Sequence, residues 1–468
     1  MPLLRVKSKS RFNWERLLKN PIRLIVLSFL TVIFTGSILL TFPFASAGGQ
    51  WTSPEITLFT ATSATCVTGL VVVDTGSYWS AAGQVIILLM IQVGGLGLAT
   101  IVGAFYTFFN RMHSWQQIEL AQESTSSRGI VELTRLLRWT IGFTLLAESL
   151  GAAILIWRFW PLYGKSAIWK GIFQSVSAFC NAGFDLHGTT ANGGYVSLVH
   201  FHNDPIVLLM TGALIVAGGL GFMVWLNIFT RKKTKLSFHS SLVLKLTVFL
   251  LLAGSIGFLL LEFNNTSSNN AMGMLSWPER PLAALFQSIT SRTAGFNSID
   301  QFSLSDSSKF LTVVLMFIGA APASTGGGIK VTTMAAVASG IIADIKRKPS
   351  LILSGHYVRK STSRRAYTIF TLSMLIVLAA TIAISIIENN ILLTLPISFL
   401  DILLEVGSAF ATVGLTAIGT ANLHLSSQLI LIICMFLGRV SPIAFALSLT
   451  RPHEETRVVY PEANILLG

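Results

Sequence analysis

The fold class this sequence predicts is an all-α integral membrane protein of four tandem membrane–pore–membrane units around a pseudo-fourfold central pore. Three observations predict it. The 468-residue chain is 52% hydrophobic and only 11% charged, too little charge to cover a soluble core of that size. A short apolar segment ending in glycine and then Leu or Phe recurs at Gly69, Gly183, Gly295 and Gly414, spaced by 114, 112 and 119 residues. Each of these glycines is followed, after 24 to 35 residues, by a second glycine cluster in an apolar run: Gly94-Gly95-Leu96-Gly97, Gly218-Gly219-Leu220-Gly221, the stretch Gly319 to Gly328, and Gly438-Arg439. Two features repeated in the same order and phase mean one structural unit used four times.

Crossing a bilayer takes about 20 mainly apolar residues. Eight stretches qualify, near 21–43, 80–109, 137–160, 204–230, 241–263, 309–342, 366–388 and 426–450. Arg5, Lys7, Lys9, Arg11, Arg16 and Lys19 precede the first, which lacks a small-residue cleavage site. Residues 1–20 are therefore expected as a cytoplasmic segment before a retained span. Repeat 1 then covers 21–110, a cytoplasmic linker 111–136, repeat 2 137–230 and repeat 3 231–344. A second linker covers 345–365, repeat 4 366–450 and a cytoplasmic tail 451–468.

Charge sets the orientation. Arg231, Lys232, Lys233, Lys235, Lys346, Arg347, Lys348, Arg359, Lys360, Arg364 and Arg365 lie in segments joining one repeat to the next. The opposite side carries mainly Asp74, Asp185, Asp204, Glu262, Asp300, Asp306 and Glu388. This positive-inside pattern predicts a multi-pass protein of the cytoplasmic membrane with both termini inside. The formal net charge of +13 thus reads as topology with some anionic-lipid contact, not as a nucleic-acid surface. Cys66, Cys180 and Cys434 form neither a disulfide framework nor a metal-ligand spacing.

Inside each repeat, a segment of 10 to 14 residues is too short to span and reads as a re-entrant helix. Non-helical backbone survives at membrane depth only where protein buries it or where it lines a water-filled cavity. The residues after each short helix therefore line such a cavity. They are Thr65, Cys66, Val67, Thr68 and Gly69; Cys180, Asn181, Ala182 and Gly183; Arg292, Thr293, Ala294 and Gly295; and Ala411, Thr412, Val413 and Gly414. Backbone carbonyls in such loops replace an ion's hydration shell, and four loops in a ring make a K⁺ filter. The re-entrant helices would aim partly negative C-terminal ends at the cavity, which favours a cation.

The second span of repeat 3 contains "GAAPASTGGGIK", in which Pro322 and Gly326 to Gly328 cannot sustain a helix. It is expected to break into two helices joined by a slim loop with hydroxyls at Ser324 and Thr325. This is no Walker A loop, since Ile329 separates Gly328 from Lys330. With no nucleotide fingerprint elsewhere, no ATP or NAD site is expected and the chain is not an enzyme. Arg439 stands mid-span, where charge is costly and marks a functional position unless carbonyls or an acid such as Glu148 satisfy it. Asp401 and Glu405, at the start of the fourth short helix, are expected at the outer mouth.

The motifs "SATCVTGL", "SAFCNAGF", "SRTAGFNS", "SAFATVGL", "GAAPASTGGGIK" and "FLGRVSP" resemble those of the Trk/Ktr/HKT superfamily of potassium transporters, over essentially the whole chain. The absence of extra spans before repeat 1 and the ending "YPEANILLG" look most like the Ktr-type pore subunit. The resemblance implies that Gly69, Gly183, Gly295 and Gly414 are filter glycines. It also implies that Gly69, where serine goes with Na⁺ preference, favours K⁺ as the transported ion. It makes Gly319, Pro322, Ser324, Thr325, Gly326, Gly327, Gly328 and Lys330 an intramembrane gate, with Arg439 nearby as a barrier to cations. It further implies a homodimer and a cytoplasmic ring of RCK-type nucleotide-binding regulatory subunits. Repeat 3 is one residue shorter between Phe286 and Gly295, so the ring is only approximately fourfold. The expected function is channel-like potassium uptake. The rivals are a sodium-preferring or Na⁺/K⁺ cotransporting relative and the pore-like subunit of an ATP-driven pump. Alternating access by inverted repeats does not suit units that all run in one direction.

Overall fold

The computed structural model describes residues 21–97, 130–188, 195–230, 236–268, 270–347, 351–353, 355–389, 397–443 and 445. The expected N-terminal segment, the tail and residues 111–129 of the 111–136 linker lie outside them, as does the continuation of the first repeat's second span; the linker's last residues, 130–136, already belong to a helix.

Four long helices open the four repeats: α1 (Pro21–Thr41), α4 (Ile130–Tyr163), α8 (Phe238–Glu262) and α12 (Lys360–Ile387). All are long and apolar enough to cross a membrane. Their outer faces carry Phe34, Ile38, Leu145, Phe249, Leu260, Leu375 and Ile386 exposed, as a lipid-facing surface requires. Each is followed by a short helix: α2 (Pro54–Cys66), α5 (Ser166–Phe179), α9 (Glu279–Thr290) and α13 (Phe399–Ala411). At 12 to 14 residues these are too short to span.

The short helices are the polar interior of the fold. Thr57, Thr60, Thr62 and Ser63 of α2, Gln174, Ser175 and Ser177 of α5, Gln287, Ser288 and Thr290 of α9, and Glu405 and Ser408 of α13 are all buried. The same helices also bury Phe59, Phe173, Phe179, Phe286 and Phe410, so polar and apolar groups share the interior.

The second spans are α3 (Ala81–Leu96), α6 and α7 (Pro205–Gly219 and Phe222–Phe229), α10 and α11 (Asp306–Phe317 and Val331–Ile345), and α14 (Leu425–Val440). The sequence reading expected a break only in repeat 3. That is corrected here: α6 and α7 bend by 94°, and α3 and α14 end at the matching place. The cause is local. Gly97, Gly221 and Ser441 take nearly the same positive-φ conformation, with φ and ψ of 79° and 130°, 86° and 140°, and 79° and 129°. No helix continues through such a residue.

Each second span packs on the short helix of the next repeat: α3 on α5, α6 on α9, α10 on α13, and α14 back on α2. A hairpin of β1 (Leu351–Leu353) and β2 (His356–Val358), unforeseen in an all-α reading, sits in the second linker.

Candidate functional site

The short helices all end in the same backbone manoeuvre. Two residues before each repeat glycine the chain turns left-handed, at Val67 (φ 59°), Asn181 (59°), Thr293 (74°) and Thr412 (51°). Such φ values are genuine outliers for the β-branched Val67, Thr293 and Thr412, costing on the order of 1–2 kcal/mol each, whereas asparagine at 181 tolerates the left-handed region. Surrounding bonds hold them. Thr68, Ala182 and Val413 donate their amides to the carbonyls of Ser63, Ser177 and Ser408, five residues back, at 2.7 to 2.8 Å. In repeat 3 the missing residue shortens the loop, and Ala294 donates to Thr290, four residues back, at 3.0 Å.

The hydroxyls of the same four residues brace the return strand. The Ser63 and Ser408 Oγ atoms accept from the amides of Gly69 (3.1 Å) and Gly414 (2.9 Å). Ser177 and Thr290 instead donate to the carbonyls of Phe184 (2.7 Å) and Phe296 (2.8 Å). Sequence reading missed these braces, although three of the quoted motifs begin with the serine in question.

The glycines then meet in cyclic order. A methyl group on Gly69 would lie 2.9 Å from the Gly183 Cα, and one on Gly183 3.2 Å from the Gly295 Cα. One on Gly295 would lie 3.0 Å from the Gly414 Cα, and one on Gly414 3.0 Å from the Gly69 Cα. In each case the carbonyl oxygen preceding the neighbouring glycine, on Ala182, Ala294, Val413 and Thr68 respectively, is in the way. With φ between 71° and 100° as well, no other residue fits without displacing backbone. All four glycines line one cavity of about 60 Å³, together with Asp74, Asp185, Tyr195, Asn297 and Thr416.

At the rim of that cavity, Asp74 accepts from the amides of Ser77 and Tyr195, both at 2.9 Å. Asp185 accepts from the His187 amide at 3.0 Å. Burial pushes the Asp185 carboxyl up to about 6; the negative Asp74 adds to this, while the His187 amide and Lys170 oppose it. Burial, with the positive charges of Lys170 and His200, pushes His187 down to about 3. The Lys170 ammonium donates to the Leu186 carbonyl.

Against the other side of the glycine loops lies the segment joining α10 to α11. Its two ends pair, Gly319 donating to the Ile329 carbonyl (2.9 Å) and Val331 to that of Ala320 (3.2 Å). Repeat 2 holds its middle: Ala321 and Thr325 donate amides to the carbonyls of Gly219 (3.0 Å) and Gly218 (3.3 Å), and Phe222 donates to Ala323 (2.9 Å). Within the loop, Ser324 Oγ donates to the Ala321 carbonyl (2.6 Å), next to Pro322, and Lys330 Nζ to that of Gly326 (2.7 Å). Side chains on Gly326 and Gly327 would run into Thr293 and Thr412, so the loop touches the glycine loops of repeats 3 and 4 directly. Gly328, with φ 66°, turns it back toward α11.

Of the two partners foreseen for Arg439, carbonyls or an acid such as Glu148, the structure has the carbonyls. Arg439 does not pair with Glu148. Its guanidinium donates to the carbonyls of Thr325 (2.5 Å), Gly95 (3.2 Å) and Gly94, tying the repeat 3 loop to the end of α3. Arg292 does not join the glycine ring through its side chain. It is buried and donates to the Gly319 carbonyl (3.4 Å) at the start of the loop. Glu148 instead accepts from Gln92 (3.3 Å).

Asp401 and Glu405 are buried and do not themselves line the cavity. Asp401 forms a capping box with Ser398 and an ion pair with Lys309 at 2.7 Å. Glu405 is fully buried and accepts from Thr416 (2.6 Å) and Thr420 (2.5 Å), anchoring the chain beyond Gly414. Glu262 and Glu388, at the ends of α8 and α12, accept from the Ser305 and His424 amides (2.9 and 2.8 Å), the residues that begin α10 and α14.

Comparison with known proteins agrees with this architecture. The family model described as TrkH, Cation transport protein, matches residues 4–458. The chain is 38% identical to the Ktr system potassium uptake protein B of Vibrio alginolyticus, over 95% of this chain and 94% of that one. It is 36% identical to the potassium/sodium uptake protein NtpJ of Enterococcus hirae, over 96% and 97%. The crystal structure of the potassium transporter TrkH from Vibrio parahaemolyticus shares the fold, with a TM-score of 0.69 over 92% of this chain and 85% of that one, at 18% identity. Four short helices each ending in a glycine loop, the meeting of those loops and a family match over residues 4–458 make this chain a membrane protein of the TrkH cation transport family, a family of transporters and not of enzymes.

Proposed function

We propose that the chain is the pore subunit of a potassium uptake system in the cytoplasmic membrane, its four repeats arranged with approximate fourfold symmetry around a single ion path. The observation that carries this is the cyclic contact of Gly69, Gly183, Gly295 and Gly414 around one cavity. Backbone carbonyls at such a convergence take the place of an ion's water, and the absence of side chains leaves the axis open. The filter is formed by the residues from Thr65, Cys180, Arg292 and Ala411 up to those glycines, with Arg292 as its brace and not as an ion ligand. The loop from Gly319 to Lys330 is the gate and Arg439 its latch, because that arginine joins the loop to a different repeat. Basic linkers inside the cell suit docking of a nucleotide-binding regulatory ring, and the pore is expected to work as a homodimer.

Growth rescue of a cell lacking K⁺ uptake, at low external K⁺ and with Rb⁺ and Na⁺ flux measured alongside, tests the reading. Rescue with Rb⁺ flux well above Na⁺ flux is expected; Na⁺ flux without rescue would overturn it. A second reading, combined Na⁺ and K⁺ uptake, is favoured by the similarity to the potassium/sodium uptake protein of E. hirae. It predicts Na⁺ flux that rises when K⁺ is added.

A further inference from the structure

Thr325, in the middle of the loop between α10 and α11, reaches the second glycine loop with its side chain. Its Oγ1 lies 3.1 Å from the Phe179 carbonyl and 3.0 Å from Asn181 Oδ1. Asn181 passes the contact on: its Nδ2 donates to Thr293 Oγ1 at 3.3 Å, in the third glycine loop. Thr325, Asn181 and Thr293 come from three segments and are all buried, at 0%, 1% and 0% exposure. Their spacings of 144 and 112 residues make this purely tertiary contact. Asn181 and Thr293 also hold equivalent left-handed positions, two residues before Gly183 and Gly295. The chain Thr325–Asn181–Thr293 therefore fixes the two residues whose backbone aims the carbonyls of those loops. Gly218 leaves room for it, because a side chain there would strike Thr325 and Asn181.

We propose that Asn181 is a positioning residue that couples gate to filter, so that ion selectivity depends on whether Thr325 is docked. The proposal rests on the filter and gate reading above. While the loop is in place, the Thr325 hydroxyl holds Asn181 and thereby filter loops 2 and 3. When the loop withdraws, Asn181 loses this partner and both loops relax. Repeats 1 and 4 have Val67 and Thr412 at the equivalent position and no bond to the Thr325 side chain. The relaxation is thus confined to one side of the ring.

The test is Rb⁺ and Na⁺ flux into vesicles containing purified full-length protein, for Thr325→Val, Thr325→Ser, Asn181→Leu and the double variant, with Gly69→Ser as control. Thr325→Val is expected to raise total flux and lower the Rb⁺/Na⁺ ratio by about fivefold, the scale of one or two buried hydrogen bonds. Thr325→Ser, which keeps the hydroxyl, is expected to bring the ratio back to within about twofold, on the same grounds. Asn181→Leu should lower the ratio similarly, and the double variant no further, since both break one chain. Higher flux at an unchanged ratio in Thr325→Val, or additive effects in the double variant, would overturn the coupling. If Gly69→Ser shifts the ratio while Thr325→Val does not, coupling fails and the filter stands. If Gly69→Ser leaves the ratio alone, the filter reading itself fails. Should Thr325→Val not yield folded protein, Thr325→Ala against Thr325→Ser makes the same comparison with less crowding.

Discussion

The four glycine loops are near copies of one another, whereas the four helix breaks on their other side are not. In the loops, the left-handed residue sits two places before glycine every time, and the bracing hydroxyl comes from the last part of the short helix every time. In the breaks, repeats 1, 2 and 4 use a single positive-φ residue, while repeat 3 inserts a whole loop stitched to repeats 2 and 4. On the pore reading proposed above, an ion on the axis faces all four glycine loops at once, so a flaw in any one is felt as a quarter of its coordination. An obstruction needs only one element that moves, and the remaining repeats are free to stay simple. On that reading, selectivity conserves the symmetry and control breaks it.

The sharpest way to break the symmetric half is Gly69→Ser. Its Cβ would lie 2.5 Å from the Ala182 carbonyl oxygen, at a φ of +92° that serine resists. Strain of about 1–2 kcal/mol passed to the neighbouring carbonyl corresponds to roughly tenfold in discrimination. The Rb⁺/Na⁺ flux ratio in vesicles should fall by about that factor, and an intact ratio in folded protein would remove Gly69 from the ion path.

The asymmetric half is tested next at Arg439. Alanine there leaves the carbonyls of Thr325, Gly94 and Gly95 without their donor, bonds to a charged group being worth about 1.5–3 kcal/mol each. Rb⁺ flux per purified protein should rise about fivefold, a modest part of that range, since water re-satisfies the carbonyls. Arg439→Lys should fall in between, because an ammonium cannot fork across two elements. Lower flux from well-folded Arg439→Ala would mean that the residue props the path open.

Much of the symmetric half was legible in the sequence. Glycine phase and segment length pointed to the four short helices, and the four glycines do meet. The braces at Ser63, Ser177, Thr290 and Ser408 were less visible, because hydroxyls are common in membrane helices and only tertiary contact shows which ones act. The breaks in repeats 1, 2 and 4 were missed for another reason. One positive-φ residue suffices to end a helix, and Ser441 carries no signature of it. Arg439 stood out as a mid-span charge, but no spacing rule decides between carbonyls and Glu148, and it is three carbonyls that satisfy it.

A smaller effect should appear at the rim, where the filter's symmetry stops. The Asp185 carboxyl titrates near 6, so it is charged above that pH and neutral below it. A negative charge beside the cavity concentrates cations, so uptake at low Rb⁺ should fall about twofold from pH 7.5 to 5.5. In Asp185→Asn this pH dependence should vanish, and uptake should match the low-pH value throughout. A persistent fall would assign the titration elsewhere.

The smallest effect concerns the odd break. Ser441 does with strain what glycine does freely at positions 97 and 221. Ser441→Gly should raise thermal stability by about 0.5–1 kcal/mol, strain relief exceeding glycine's entropic cost. A drop in melting temperature would show that the serine side chain contributes something the backbone comparison misses.

The cyclic contact also has a consequence for biosynthesis. Gly69 abuts Gly414, made 345 residues later, and α14 must return to pack against α2. At about 5–20 residues per second, the first glycine loop waits roughly 20–70 s for the surface that completes it. Until then its backbone groups need water or a chaperone, and no ring exists to leak ions. If the glycine ring is the ion path proposed above, a nascent chain of this design becomes a conduit only at the end of its own translation.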